Sequence, residues 1–234
     1  MTVIDLTKKA KIVLEKKNLN GVQAEIVFAV DISGSMSGLF SRGVVQELTE
    51  RLLGIGMNMD TNKSIDVFAF NTSGHDVGSV SEGNHTNYVT NSMLRKVSVG
   101  GGTNYAPVMR KIVDKYGSSK KKGLTGLFSK KQSVPTNPTF VFFVTDGDNF
   151  DKSETEKIIT ESSNQAIFWQ FVGIGYESFN FLQKLDDLSG RHLDNADFFS
   201  VKDLTKISDE ELYDKLLTEF PSWLSQAKNK GLLV

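Results

Sequence analysis

A chain of 234 residues with 27 Lys and Arg against 28 Asp and Glu carries a formal charge of −1, with 39% of its residues hydrophobic and 24% charged. This composition suits a soluble globular fold with a proper core, in one domain or two small ones, and gives no overall charge to drive it onto nucleic acid or an anionic membrane. The absence of cysteine excludes disulfides, thiolate zinc sites, iron–sulfur clusters and a cysteine nucleophile.

Residues 1–20 scatter lysines through their apolar positions and form no continuous apolar region of the secretory kind. The stretch from Leu6 to Lys17 reads as a lysine-rich amphipathic helix packed on the outside of the domain, with Ile12, Val13 and Leu14 as its apolar surface. Strands are predicted at Glu25 to Val30, Ser64 to Phe70, Thr139 to Thr145, Ile167 to Gly173 and Phe198 to Val201. Each is short and apolar on both faces, the pattern of a parallel sheet covered on both sides. Between them, apolar residues recur at helical spacing: Val44, Leu48, Leu52 and Ile55; Val108, Ile112 and Tyr116; Ile158 and Ile159; Phe181, Leu182 and Leu185. A last helix opens on Ser208 and Glu211, a capping-box pair, and carries Leu212, Leu216, Phe220 and Leu224 on one face. Alternating strands and helices imply right-handed crossovers and one three-layer, doubly wound α/β domain over residues 21–234, a Rossmann-like sandwich with helices on both faces.

One segment breaks the pattern. From Lys115 to Pro138 the chain has six lysines, no acid and scattered Gly, Ser and Pro, which reads as an exposed loop inserted at about residues 117–137. Lys120, Lys121, Lys122, Lys130 and Lys131 there could meet an anionic surface, with Leu124, Leu127 and Phe128 adding apolar contact. The densest apolar run, Phe140 to Val144, is far below the roughly 20 residues of a membrane span. No transmembrane segment is therefore expected, and the expected location is cytoplasmic.

Three stretches lie where a strand gives way to a loop, the place where doubly wound sheets hold ligands. Asp31-Ile32-Ser33-Gly34-Ser35 follows the first strand, and its alternating Asp, Ser and Ser would set a carboxylate and two hydroxyls on one side of an extended loop. Gly100-Gly101-Gly102-Thr103-Asn104 leads into a helix. Thr145-Asp146-Gly147-Asp148-Asn149 follows the strand ending near Val144, with Asp148 placed to cap the next helix. Together Asp31, Ser33, Ser35, Thr103 and Asp146 offer only hard oxygens, which select Mg²⁺, Mn²⁺ or Ca²⁺ over zinc or copper. Taken singly, turn and cap chemistry explains either acidic motif equally well.

In that order and at those strand ends, DISGS, GGTN and TDG resemble the metal-ion-dependent adhesion site (MIDAS) of the von Willebrand factor A (vWA) domain family. The resemblance assigns Asp31, Ser33, Ser35, Thr103 and Asp146 to the ion. It implies an ion at the carboxyl edge of the sheet, completed by an Asp or Glu from a partner protein. The stretches FWQFVGIG, FLQKLDDLSGR, DNADFF and ISDEELYDKLLTEFPSWL are similar to the vWA branch of bacterial tellurium-resistance, TerF-like proteins. That similarity implies an intracellular, stand-alone A domain in a stress-response system.

Catalytic alternatives find little support. An aspartyl-phosphate phosphatase needs a second Asp where Ser33 stands, and a serine-hydrolase elbow has its serine where Met36 stands. No glycine-rich run ends in the lysine of a phosphate-binding loop, and an EF-hand begun at Asp146 meets Phe150 and Asp151 at its fifth and sixth positions. His75, His85 and His192 have no ligand or triad spacing. The remaining enzyme reading is a metal-assisted phosphoryl hydrolase with Asp31 as nucleophile or base, but no Lys, Arg or His is patterned nearby to stabilise developing charge. The expectation is a binding module without enzymatic activity.

Overall fold

The computed structural model describes residues 2–117 and 134–234. In chain order the elements are α1 (Val3–Lys16), β1 (Glu25–Asp31), a 3-10 turn (Gly34–Met36), α2 (Ser37–Ser41), α3 (Val44–Met59), β2 (Ser64–Phe70), β3 (Gly74–Ser81), a π-helical turn (Val89–Met93), α4 (Ala106–Tyr116), β4 (Thr139–Thr145), α5 (Lys152–Ser162), β5 (Ile167–Ile174), α6 (Asn180–Asp186), β6 (Ala196–Val201), α7 (Asp209–Leu216) and α8 (Phe220–Asn229). The described strands form one sheet in the order β3-β2-β1-β4-β5-β6. All neighbours run parallel except β2 and β3.

Every residue of β4 and β5 is buried, as are Ile26 to Asp31 of β1. Such strands can exist only between two helical layers. On one side Ile26, Phe28, Val30, Phe140, Phe142 and Phe168 meet α1, α3, α7 and α8. On the other, Val27, Ala29, Val141, Phe143, Trp169 and Phe171 meet Tyr105, Ala106 to Ile112 of α4, Ile158 and Ile159 of α5, and Phe181 to Leu185 of α6. The result is a three-layer α/β sandwich.

Helix α1 contributes Val3, Ala10, Val13 and Leu14 to the first of these cores, while Ile12, expected among its apolar surface, is 48% exposed. The 3.6-residue period explains this: Ile12 is turned away from the stripe that Ala10, Val13 and Leu14 share. Strand β3 was not foreseen. Its sequence, GHDVGSVS, has Val77 and Val80 three apart rather than alternating, because Val77 is an extra residue in a bulge opposite Val67 and Phe68. The bulge slips the two-residue period by one, and β3 is an edge strand with little need of a continuous apolar face.

The predicted single C-terminal helix is two. Ser208 does cap α7, accepting the Glu211 N–H at 3.1 Å, but the helix stops at Leu216 and α8 starts at Phe220. Pro221 is the reason: it has no N–H to donate, and its ring would strike the carbonyl of Leu217 in a continuous helix. In the first turn of a new helix the same residue fits. The break turns Phe220 onto Phe140, ring centroids 4.2 Å apart and nearly parallel at 5°.

Candidate metal centre

From β1 the chain proceeds first outward to β2 and later back across to β4, so the order reverses between β1 and β4. A sheet that reverses in this way opens a crevice at the carboxyl ends of the two strands. Asp31 closes β1 and Thr145 closes β4, side by side at that crevice.

Asp31 is fully buried, and both its oxygens are engaged: Oδ1 accepts the Ser33 N–H at 2.7 Å and Oδ2 accepts the Thr145 hydroxyl at 2.7 Å. The expected extended loop is instead a tight turn followed by the 3-10 segment Gly34–Met36. An Asp that accepts from the backbone two residues on favours such a turn. The turn brings the Ser33 and Ser35 hydroxyls to 3.1 Å of each other, and Ser35 donates to Asp146 Oδ1 at 2.8 Å. Polar contacts therefore run from Asp31 through Ser33 and Ser35 to Asp146.

The glycine-rich loop is pinned against that turn by its backbone. The Gly34 N–H donates to the Gly101 carbonyl at 3.1 Å, and the Gly100 N–H to Ile32 at 2.7 Å. With φ of +151° at Gly100 and +82° at Gly101, the approach needs residues without a Cβ. Thr103 is buried in this loop; its carbonyl accepts the Phe150 N–H at 3.1 Å, and its hydroxyl makes no hydrogen bond with the described residues.

The third stretch is organised by residues that sequence reasoning passed over. Tyr105 donates its hydroxyl to the Gly147 carbonyl at 2.6 Å. Asp151 accepts the N–H groups of Tyr105 at 3.0 Å and Ala106 at 2.8 Å, capping α4 from another loop. Asp148, expected to cap α5, instead accepts the N–H of its neighbour Asn149 and pairs with Lys152 on the surface. Thr145 offered the one legible signal, a hydroxyl ending an otherwise apolar strand.

The electrostatics are those of a site short of positive charge. Burial above all raises the Asp31 carboxyl; the Thr145 and Ser33 hydrogen bonds oppose it, and Asp146 adds to it. Burial likewise raises Asp146 against the pull of Ser35, with Glu177 adding to the rise. Among the described residues no ion pair engages either acid. Two uncompensated carboxylates with hydroxyls between them suit a hard divalent cation and suit no soft one. Two aromatic side chains stand out from this edge of the sheet, Phe150 at 83% exposed and Tyr176 at 82%. The five lysines of the basic loop, Lys120, Lys121, Lys122, Lys130 and Lys131, lie outside the described residues. Among the described residues no helix is long and apolar enough to cross a membrane.

Comparison with known proteins finds relatives of this fold. A curated relative, "Uncharacterized protein YcbR" of Bacillus subtilis (strain 168), is 39% identical over 236 aligned positions, covering 100% of this chain and 91% of its own. Among solved structures, the ArnB paralog VWA2 of Sulfolobus acidocaldarius superposes with a TM-score of 0.50 at 13% identity over 84% of this chain. Proximal thread matrix protein 1 of the mussel byssus does so at 0.55 and 13%, again over 84%. A further form of that mussel protein has a zinc-occupied MIDAS motif, with a TM-score of 0.50 and 16% identity. The chain spans less than half of each solved chain, 44% of the archaeal protein and 47% of the mussel one. At these identities the structural likeness speaks for the fold. Residues 23–233 match the vWA domain found in the TerF C terminus, and the chain belongs to this vWA-TerF-like family.

Proposed function

We propose that this chain is a metal-dependent protein-binding module, in which a divalent cation held by Asp31, Ser33, Ser35, Thr103 and Asp146 takes an Asp or Glu of a partner protein as its last ligand. The observation that carries the reading is the pair of carboxylates at neighbouring strand ends, Asp31 buried and Asp146 half-buried, with hydroxyls between them and, among the described residues, no cationic side chain paired with either. Mg²⁺ is the favoured ion for an all-oxygen set of this kind, with Mn²⁺ and Ca²⁺ as competitors. The zinc-occupied MIDAS of the mussel protein supports a divalent ion in this fold. Neutral hydroxyls bind weakly and leave coordination positions to water, which an incoming carboxylate can displace. Phe150 and Tyr176 would supply apolar contact around the ion, as exposed aromatics do at interface centres. The absence of a cationic side chain on either acid among the described residues favours recognition over phosphoryl transfer, which needs stabilisation of developing charge. The TerF relationship supports a place in a bacterial tellurium-resistance or stress-response system, in the cytoplasm.

The direct test is thermal unfolding in chelator and then in Mg²⁺, Mn²⁺ and Ca²⁺. An ion at about 100 times its dissociation constant adds roughly 2.7 kcal/mol, a Tm rise on the order of 5–10 °C for a chain of this size. The rise attributable to this centre should vanish in Asp31→Ala. Partner capture at saturating metal should likewise fail in both Asp31→Ala and Asp146→Ala; capture that survives both substitutions sinks the reading.

A further inference from the structure

The outer edge of the sheet carries a second gathering of oxygen donors. One carboxylate oxygen from each of Asp186, Asp197 and Glu219 lies within 4.8 Å of the other two. They arrive from separate elements: Asp186 ends α6, Asp197 is the second residue of the edge strand β6, and Glu219 stands in the turn before α8. Such a separation admits a Ca²⁺ ion, whose opposed oxygens, each at about 2.4 Å, lie about 4.8 Å apart.

Crowded acids occur on protein surfaces without any ligand, and the independent observation comes from the floor of the cluster. Gln170 is 0% exposed, and its amide oxygen has no hydrogen-bond partner among the described residues. It lies opposite Asp197 in the β5–β6 register. Burial drives the Asp197 carboxyl up, and the Gln170 amide beside it pulls the other way. A buried amide oxygen is expensive to leave unpaired, and here the amide stands beside Asp197 of the cluster. Among the described residues no ion pair engages Asp186, Asp197 or Glu219, and the nearby Arg191 is committed elsewhere: it pairs with Asp194 at 2.7 Å and donates to the carbonyls of Asp186 and Leu188. Three acids held this close repel one another, and a cation between them relieves that repulsion.

We propose that Asp186, Asp197, Glu219 and the amide oxygen of Gln170 form a Ca²⁺ site on the outer edge of the sheet, separate from the centre at Asp31. The two centres are independent, and the test keeps them apart by using the full chain with Asp31→Ala. Calorimetric titration of that variant with Ca²⁺ should still find one ion. Glu219→Gln, at an exposed position, should weaken that binding by at least roughly ten-fold, and Gln170→Leu should weaken it without loss of the fold. Asp197→Asn in the same background should abolish the ion's effect on Tm. If Asp31→Ala stays folded and takes up no Ca²⁺ at millimolar concentration, or takes up an ion that Glu219→Gln and Gln170→Leu leave unchanged, the site does not exist. Loss of every ion on Asp31→Ala alone supports the proposed function and overturns this inference; survival of an ion that needs Glu219 supports the edge site and leaves the proposed function standing.

Discussion

Thr145 holds the carboxylate at the centre of the candidate site. Its hydroxyl donates to Asp31 Oδ2 at 2.7 Å where no water reaches, so it supports one of the two oxygens of a fully buried acid. Thr145→Val keeps the shape of the side chain and removes only that donor. The carboxylate then loses its partner, at a cost of about 1–3 kcal/mol, and its ionised form becomes harder to hold, which weakens any metal that needs it. Urea unfolding in chelator should show the loss of stability, metal titration should show lower affinity, and Thr145→Ser should restore both. A Thr145→Val chain equal to wild type in both respects would reduce Thr145 to a spectator. The ligand candidates were legible because Asp31, Ser33 and Ser35 are near neighbours in sequence and their residue types admit few chemistries. Tyr105 and Asp151 were not, since each acts on a group that only the folded sheet brings within reach.

At the scale of elements, the approach of β3 to α4 sets the position of the glycine-rich loop. A Cβ added at Gly74 would lie 2.6 Å from both the backbone nitrogen and the Cα of Val108, so the helix can pack there only against a bare backbone. Gly74→Ala must move α4, and overpacking of this sort costs about 1–3 kcal/mol. Thr103 is three residues ahead of α4, so the displacement reaches the candidate metal centre. We expect Gly74→Ala to lower both the urea midpoint and the metal affinity, although Gly74 contacts no ligand. An unchanged affinity would show that the loop is positioned by its own bonds to Ile32 and Gly34. The parallel strands could be read from sequence because burial on both faces writes a continuous apolar run. Strand β3 and the break before α8 could not: the first depends on a bulge that scrambles alternation, and the second on the choice Pro221 makes between two helical registers.

At the scale of the whole molecule, the candidate metal centre and the C-terminal helices lie at different depths of the sheet. Phe220 stacks on Phe140, and Trp223 packs beside Phe168 at 5.3 Å. Phe140 is five residues before Thr145 on β4, a separation of about 16 Å along a strand. Between them stand Phe142 and Val144, fully or almost fully buried and close-packed, which resist small displacements. An ion at Asp31 would therefore act on the loops 31–37, 100–105 and 145–151 and leave α8 as it was. Hydrogen exchange should detect this as Mg²⁺-dependent protection confined to those loops. Subtracting the response of Asp31→Ala removes any contribution from an ion at the outer edge, where Glu219 adjoins α8. Should α7 or α8 amides change protection with Mg²⁺ in the wild type but not in Asp31→Ala, the two ends of the sheet would be coupled, and the packing of Phe220 and Trp223 would be the first place to look for the moving part.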